Sequence, residues 1–168
     1  GNKELITKVT DRVTERRAGA YSVTGNDAYR LERSVLENGL LVNKKEEKPG
    51  NNRTARFKLT PPKTDLYHVE IIRSALKENT ETELYMEFGD RNNRISHKFK
   101  LEREPRDASR MCTPLGIVAL QEGDNECYFR WNGLVNIEEI VFTPLAADHK
   151  VRQEQLAQIA RTKAAAAD

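Results

Sequence analysis

The chain is poor in the residues on which several kinds of site depend. It has two cysteines, Cys112 and Cys127, and three histidines in 168 residues, with no C-x-x-C pair. A zinc or iron–sulfur site is therefore not expected. Because the two cysteines flank a predicted hairpin, 112–120 and 125–131, they could form a disulfide or remain two partly buried thiols.

Long apolar runs and a surplus of one charge are also missing. The longest apolar run is LGIVAL (115–120), far short of the roughly 20 residues that a membrane-spanning helix needs, so membrane insertion is not expected. The 28 basic and 26 acidic residues leave a formal net charge of +2, and they are interleaved, as in KKEEK (44–48). Nucleic-acid-binding proteins concentrate a larger basic surplus on one face, so nucleic acid is not an expected partner.

Motifs of the common hydrolases and nucleotide-binding proteins do not occur. There is no G-x-S-x-G, no phosphate-cradling glycine loop and no H-E-x-x-H. Glycosidase chemistry needs two carboxyl groups facing each other across about 5–10 Å, and the many glutamates here alternate along strands without singling out a pair. We therefore predict that the protein is not an enzyme. A fragment of an enzyme, completed by a further domain, is the alternative.

What the sequence does contain is alternation of apolar and polar residues. Four clear examples are ARFKL (55–59), LYHVEIIR (66–73), ELYMEF (83–88) and RISHKFKL (94–101). A period of two is typical of strands with one buried and one wet face. Turn signals such as GDRNNR (89–94) separate the runs, and no helical pattern intervenes between 54 and 144. This organisation predicts an antiparallel all-β sandwich or barrel.

The last two predicted strands hold the only tryptophan. NECYFRW (125–131) places Cys127, Phe129 and Trp131 on one side, with Tyr128 and Arg130 on the other. In LVNIEEIVFT (134–143) the alternation reverses midway, which predicts a β-bulge near Glu138–Glu139. Sharing a side with Cys127 and Phe129 favours a core position for Trp131. Its place beside Asn132–Gly133, at a strand end, leaves open a role as a stacking surface.

The two ends of the chain differ from the middle. Residues 3–17 suit either a short helix or a first strand, and Asp148 can cap a C-terminal segment rich in helix formers. We predict an N-terminal extension over 1–20 and a β-sandwich over 21–145. A C-terminal helix or linker over 146–168 would lead to a further segment of a longer chain.

Several short motifs occur in the order seen in galactose-binding-like jelly-roll domains: YRLERS (29–34), ARFKLTPP (55–62), LYHVEIIRSA (66–75) and VNIEEIVFTP (135–144). The chain resembles the small non-catalytic carbohydrate-binding modules of this group. The resemblance implies an all-β fold, an antiparallel jelly-roll β-sandwich, here with a C-terminal α-helix and a possible short N-terminal helix. It also implies a glycan ligand, and an extracellular or periplasmic location if a glycan is bound.

In such modules a sugar stacks on an aromatic ring and bonds to asparagine and acidic side chains near the final strand. The predicted ligand-binding residues of this chain are Trp131, Asn132, Asn136, Tyr128 and Arg130. Asn136 matches an asparagine of the family, whereas Tyr128 and Arg130, two residues apart on the strand face opposite Trp131, could form a polar recognition patch. The resemblance also implies that Glu32 and Glu138 help to bind a possible structural calcium, which prefers oxygen ligands from several chain segments. No other cofactor is expected.

A second function fits the same fold. A protein-interaction or assembly domain would dock another protein domain through a sheet face and the helix at 148–165. The low aromatic content of 7% and the charged surface favour this alternative, whereas the segment 122–140 favours glycan binding.

Overall fold

The computed structural model of the chain describes residues 19–37, 40–43, 53–74, 82–89, 94–101, 111–132, 135–145, 150 and 153–154. Within these residues the structure is a sandwich of two antiparallel sheets. The eleven strands are β1 (Tyr21–Thr24), β2 (Arg30–Glu32), β3 (Ser34–Glu37), β4 (Leu40–Asn43), β5 (Arg53–Leu59), β6 (Asp65–Arg73), β7 (Thr82–Phe88), β8 (Ile95–Leu101), β9 (Met111–Leu120), β10 (Asn125–Trp131) and β11 (Ile137–Pro144). A single turn of 3-10 helix, Gly25–Asp27, follows β1.

The strands divide between what we call the front sheet and the back sheet. The front sheet has the order β2-β5-β10-β7-β8, and the back sheet has the order β3-β4-β11-β6-β9, with β1 also paired to β11. The chain passes from the front sheet to the back sheet at Arg33, whose φ of 55° is left-handed. Such a conformation costs a non-glycine residue about 1 kcal/mol, so the crossing is held by the pairing on either side.

The main core lies between the sheets. Phe129 and Trp131 of β10 are both 0% exposed, and their ring centroids are 5.4 Å apart. Opposite them the back sheet contributes Ile71 and Phe142, which are also fully buried.

The predicted alternation is confirmed in the front sheet, where buried and more exposed side chains alternate along 55–59 of β5 and along β10. Burial on one face decides which side chains can be apolar. In the back sheet β6 and β11 are buried on both faces, and Ile72 and Val141 belong to a second apolar cluster.

Three finer predictions have different outcomes. The β-bulge near Glu138–Glu139 is confirmed, since the pairing of β11 with β6 shifts register between Ile137 and Glu139. The hairpin connection through 89–94 is also confirmed, because β7 pairs with β8. The predicted hairpin of 112–120 with 125–131 is wrong: β9 and β10 belong to opposite sheets.

Both cysteines are free and buried, so the disulfide alternative is wrong. Cys112 lies on β9 and donates its thiol hydrogen to Glu70 Oε2 at 3.0 Å, whereas Cys127 lies on β10 in the other sheet. Burial raises the pKa of the Cys127 thiol well above its usual range. The turn between 120 and 125 carries the chain from one sheet to the other, which separates the two sulfur atoms.

The predicted helices are not supported, because the elements of the described residues include no continuous α-helix. No helix in this part of the chain is long and apolar enough to cross a membrane. The possible N-terminal helix falls on residues outside the described ranges. Of the predicted C-terminal helix only Lys150, Gln153 and Glu154 are described; they have helical backbone, and Lys150 Nζ lies 3.8 Å from Glu154 Oε1.

The open edge of the sandwich, where β8 faces β9, is packed around an aromatic ring. A Cβ atom on Gly116 would lie 2.8 Å from Phe99 Cε1, so a glycine is required for the ring to fit. The imidazole of His97 stacks on Phe99 at an interplanar angle of 4° and meets Phe88 edge-on. The structure places His97 half-buried in this aromatic cluster.

We predict that Trp131→Ala lowers the free energy of unfolding by about 3–5 kcal/mol, because it empties the largest fully buried side-chain volume. Urea denaturation followed by circular dichroism measures this. Arg130→Ala is the matched control. Arg130 is the neighbouring residue on β10, and its side chain points away from the core, so its loss should lower the free energy of unfolding by about 1 kcal/mol or less. Equal losses for the two variants would contradict the core assignment.

We also predict that stability falls on acidification in a way that depends on His97. Burial lowers the pKa of His97, so the unfolded chain takes up a proton near its ordinary pKa of about 6.5 while the folded chain resists it. The stability that the neutral His97 side chain contributes is complete above about pH 6.5. It is lost as the pH falls through the lower pKa of His97 in the folded state. Thermal unfolding between about pH 7.5 and about pH 5.5 should give a shallower loss of Tm for His97→Gln than for the wild type. Identical slopes would show that His97 is not the group responsible.

Candidate functional site

An open groove of about 360 Å³ lies on the outer face of the front sheet. Its floor is formed by side chains that point away from the core because the opposite parity of the same strands is buried. Arg56 on β5, Tyr128 on β10 and Glu87 on β7 are direct cross-strand neighbours in this floor. The remaining lining comes from Tyr29, Gly89, Arg94, Glu126 and, from below, Cys127.

Glu87 organises one side of the groove. Its Oε1 accepts a hydrogen bond from Arg130 Nη2 and its Oε2 accepts one from Arg94 Nη1, each at 2.9 Å. The Glu87 side chain is only 8% exposed, so these charge-assisted bonds are partly shielded from water. The guanidinium of Arg94 also lies over the Tyr128 ring, 5.7 Å from its centroid. Both arginines are thereby fixed before any ligand arrives.

Tyr29 forms the open rim of the groove. Its side chain is 53% exposed, its hydroxyl donates to Glu126 Oε2 at 2.7 Å, and its backbone N–H donates to the Arg56 carbonyl at 2.9 Å. The hydrogen bond to the Glu126 carboxylate raises the pKa of Tyr29, and the nearby Arg56 guanidinium acts in the opposite direction. The ring is therefore oriented at its tip. Lys58 Nζ lies 5.9 Å from its centroid, and about half of the residue stays accessible to solvent.

A further tyrosine of this face, Tyr85, already has cations beside its ring. The Arg130 guanidinium lies 4.3 Å and Lys98 Nζ 5.8 Å from the Tyr85 centroid. The Tyr85 hydroxyl donates to Glu83 Oε2 at 2.9 Å, and Lys98 Nζ lies 3.3 Å from Glu83 Oε1. The hydrogen bonds from Tyr85 and Lys98 lower the pKa of Glu83. Tyr85 is thus part of a polar lattice. Tyr29 also has a cation over its ring, with Lys58 Nζ 5.9 Å from the centroid, but it is the exposed tyrosine among those described on this face.

Of the five predicted ligand-binding residues, Tyr128 and Arg130 lie on this outer face. Their shared side of β10 is confirmed by the strand pairing, which places Tyr128 opposite Glu87 and Arg130 opposite Tyr85. Tyr128 lines the groove, and Arg130 reaches it through Glu87. Their role in binding stays a prediction.

Trp131 does not lie with them. It is 0% exposed and forms part of the core on the opposite side of the sheet. Its ring presents no face to solvent, so the expectation of a stacking surface is corrected in favour of the core alternative. The physical reason is the parity that Trp131 shares with Cys127 and Phe129.

Asn132 and Asn136 lie at the strand ends near Trp131 and are engaged with the backbone of neighbouring strands. Asn132 Oδ1 accepts from the Glu83 N–H at 2.8 Å, and the Asn132 N–H donates to the Glu83 carbonyl at 3.1 Å. The Asn136 N–H donates to Ser74 Oγ at 2.9 Å, and its carbonyl accepts from the Ser74 N–H at 3.0 Å. The structure therefore does not bring the five predicted residues into one site.

The two glutamates implied as calcium ligands are in different sheets. Glu32 ends β2 in the front sheet, where Oε1 lies 3.1 Å from Arg30 Nη2, and Glu138 lies at the bulge of β11 in the back sheet. Within the described part of the chain, no group of three or more His, Cys, Asp or Glu side chains could hold a metal ion. The calcium site stays a prediction from the resemblance.

Tyr29 and Glu87 are not among the residues that the sequence predicts for the site. Tyr29 precedes β2 and reaches the groove because β2 pairs with β5, placing Arg30 opposite Arg56. The signal for it was its place in YRLERS, a motif that supported the resemblance. Glu87 carries no signal of its own, since it is one of several glutamates on wet strand positions.

No protein-family model and no curated protein sequence matches the chain. Solved structures do match in fold. A family 35 carbohydrate-binding module from Clostridium thermocellum is 12% identical with a TM-score of 0.58, covering 76% of this chain and 100% of the module. A module of the Cellvibrio mixtus lichenase 5A, solved with cellotriose, is 11% identical with a TM-score of 0.56, covering 75% of this chain and 98% of the module.

A larger protein matches over one part of its length. The Podospora anserina GH26-CBM35 β-(1,4)-mannanase is 20% identical with a TM-score of 0.58; the match covers 80% of this chain and spans only 29% of the mannanase. At these identities the likeness concerns the fold. The chain has the jelly-roll sandwich fold of small carbohydrate-binding modules, as the resemblance implied.

Proposed function

We propose that the protein is a non-catalytic carbohydrate-binding module that holds a saccharide in the groove of the front sheet. The observation that carries the proposal is the exposed ring of Tyr29 at the rim of a groove whose other walls are hydrogen-bonding side chains. One face of a pyranose ring presents C–H groups, which stack on an aromatic face without stripping water from the hydroxyls. The sugar hydroxyls would then meet the polar walls, as in other concave sites with a few placed polar groups.

The carboxylates of the groove favour binding over catalysis. Both oxygens of Glu87 accept hydrogen bonds from arginines, and Glu126 Oε2 accepts from the Tyr29 hydroxyl. Hydrolysis of a glycosidic bond needs one carboxyl group to give a proton and another to attack or activate water. A carboxylate fixed between two guanidinium groups is suited to holding its neighbours in place.

The fold supports the same proposal. Two of the structures similar to this chain are modules described as binding carbohydrate, and one of them was solved with cellotriose. The alternative of a protein-interaction domain stays a prediction, and it would become the leading hypothesis if no saccharide bound.

We predict that Tyr29→Ala weakens saccharide binding by about tenfold or more, because it removes the stacking surface. Isothermal titration calorimetry over a panel of neutral and acidic oligosaccharides, with cellotriose included, measures the affinity. Tyr29→Phe should retain most of it, since the ring remains and only the bond to Glu126 is lost.

Ile95→Ala is the control for a surface change on the same sheet, because Ile95 is 63% exposed and does not line the groove. It should bind as the wild type does. Failure of the folded wild-type protein to bind any member of the panel would rule out the proposed function.

A further inference from the structure

We propose that the groove selects a saccharide carrying an anionic substituent, a carboxylate or a sulfate, and that Arg56 is the residue that binds this group. The inference rests on the proposed function and names its substrate class. Three observations carry it: the pairing of the cations on this face, the balance of charge around the groove, and the setting of the Arg56 guanidinium.

Arg56 and Lys58 differ from their neighbours in having no ion pair. Arg30 lies 3.1 Å from Glu32, Lys98 lies 3.3 Å from Glu83, and Arg130 is bonded to Glu87. Within the described residues no carboxylate lies within salt-bridge distance of Arg56, and Lys58 forms no such pair although it lies directly opposite Glu126 in the sheet. Arg56 lines the groove, and Lys58 Nζ lies over the ring of Tyr29, 5.9 Å from its centroid.

The charge balance of the groove leaves Arg56 without a partner. Within its described lining, two arginines, Arg56 and Arg94, accompany two carboxylates, those of Glu87 and Glu126. Glu126 is hydrogen-bonded by a neutral tyrosine hydroxyl, and Glu87 is shared by Arg94 and Arg130. Arg56 is therefore the lining cation that has no ion pair with either carboxylate.

The position of Arg56 within the sheet increases its need for an anion. Its direct cross-strand neighbours are Arg30 on β2 and Tyr128 on β10. Like charges directly opposite each other in a sheet are destabilising, so a bound anion at Arg56 would relieve a repulsion that the free protein carries. A neutral sugar would leave that repulsion in place.

The guanidinium is also held in a suitable orientation. Its Cζ lies 4.9 Å from the centroid of the Tyr128 ring, which is the stacked arrangement that arginine favours on aromatic faces. Stacking fixes the plane of the group, and a planar guanidinium can donate two parallel hydrogen bonds to the oxygens of a carboxylate or sulfate. A sugar stacked on Tyr29 would place a charged substituent within the groove that Arg56 lines.

The test compares ligands that differ only in charge. Oligogalacturonate and its methyl ester form one pair, and a sulfated galactan oligosaccharide and its desulfated form are the other, each titrated calorimetrically into the full chain. The charged member of at least one pair should bind about tenfold more tightly than its neutral counterpart. This preference should shrink as NaCl is raised from about 50 to about 500 mM. Which pair shows it distinguishes a carboxylate from a sulfate.

Two variants assign the effect to Arg56. Arg56→Gln should abolish the preference, so that the charged and the neutral member of the pair bind with equal affinity. Arg30→Gln removes the same charge from the neighbouring strand and should keep the preference. If both members of both pairs bind the wild type equally, the anionic selectivity is wrong while carbohydrate binding stands. If the two variants behave alike, the assignment to Arg56 is wrong. If none of the four ligands binds and the panel with cellotriose also fails, the proposed function fails with it.

Discussion

Strand β10 lies in the middle of the front sheet with hydrogen-bonded neighbours on both sides, and this position constrains every side chain on it to one of two directions. Cys127, Phe129 and Trp131 point into the core, and Glu126, Tyr128 and Arg130 point outward. These six residues thus supply part of the packing that holds the sheets together and much of the floor of the groove. A register change of one residue would exchange the two sets, so core packing also fixes which groups face a ligand.

The polar face is ordered by many weak interactions. Single exposed ion pairs contribute little to stability, yet Glu87 joins two strands and the loop end at Arg94, and two tyrosine rings lie beneath guanidinium groups. Long arginine side chains lose considerable rotamer freedom when a ligand fixes them. In this structure much of that freedom is already lost in the free protein, and the cost of binding falls accordingly.

Much of the architecture could be predicted from the sequence, because burial on one face leaves a period of two that survives in single strands such as β5 and β10. The bulge in β11 could be predicted for the same reason, because the alternation of apolar and polar residues reverses within 134–143. The connection from β9 to β10 was not: the turn residues at 121–124 look the same whether the chain returns along the same sheet or crosses to the other. The site was hardest to predict, because it depends on long-range pairing. Tyr29 contacts Glu126 only because β2, β5 and β10 are neighbours in the sheet. The sequence around either residue does not predict this contact.

The burial of Trp131 has a practical consequence for studying this protein in solution. It is the only tryptophan, and it is separated from the groove by the backbone of its own strand, with Tyr128 and Arg130 on the far side. Its fluorescence emission therefore reports whether the core is intact, and it does not report ligand binding on the outer face. Tryptophan fluorescence would follow unfolding but would not change when a ligand binds in the groove. An assay for binding must therefore measure the heat of binding, the electrophoretic mobility or the tyrosine fluorescence.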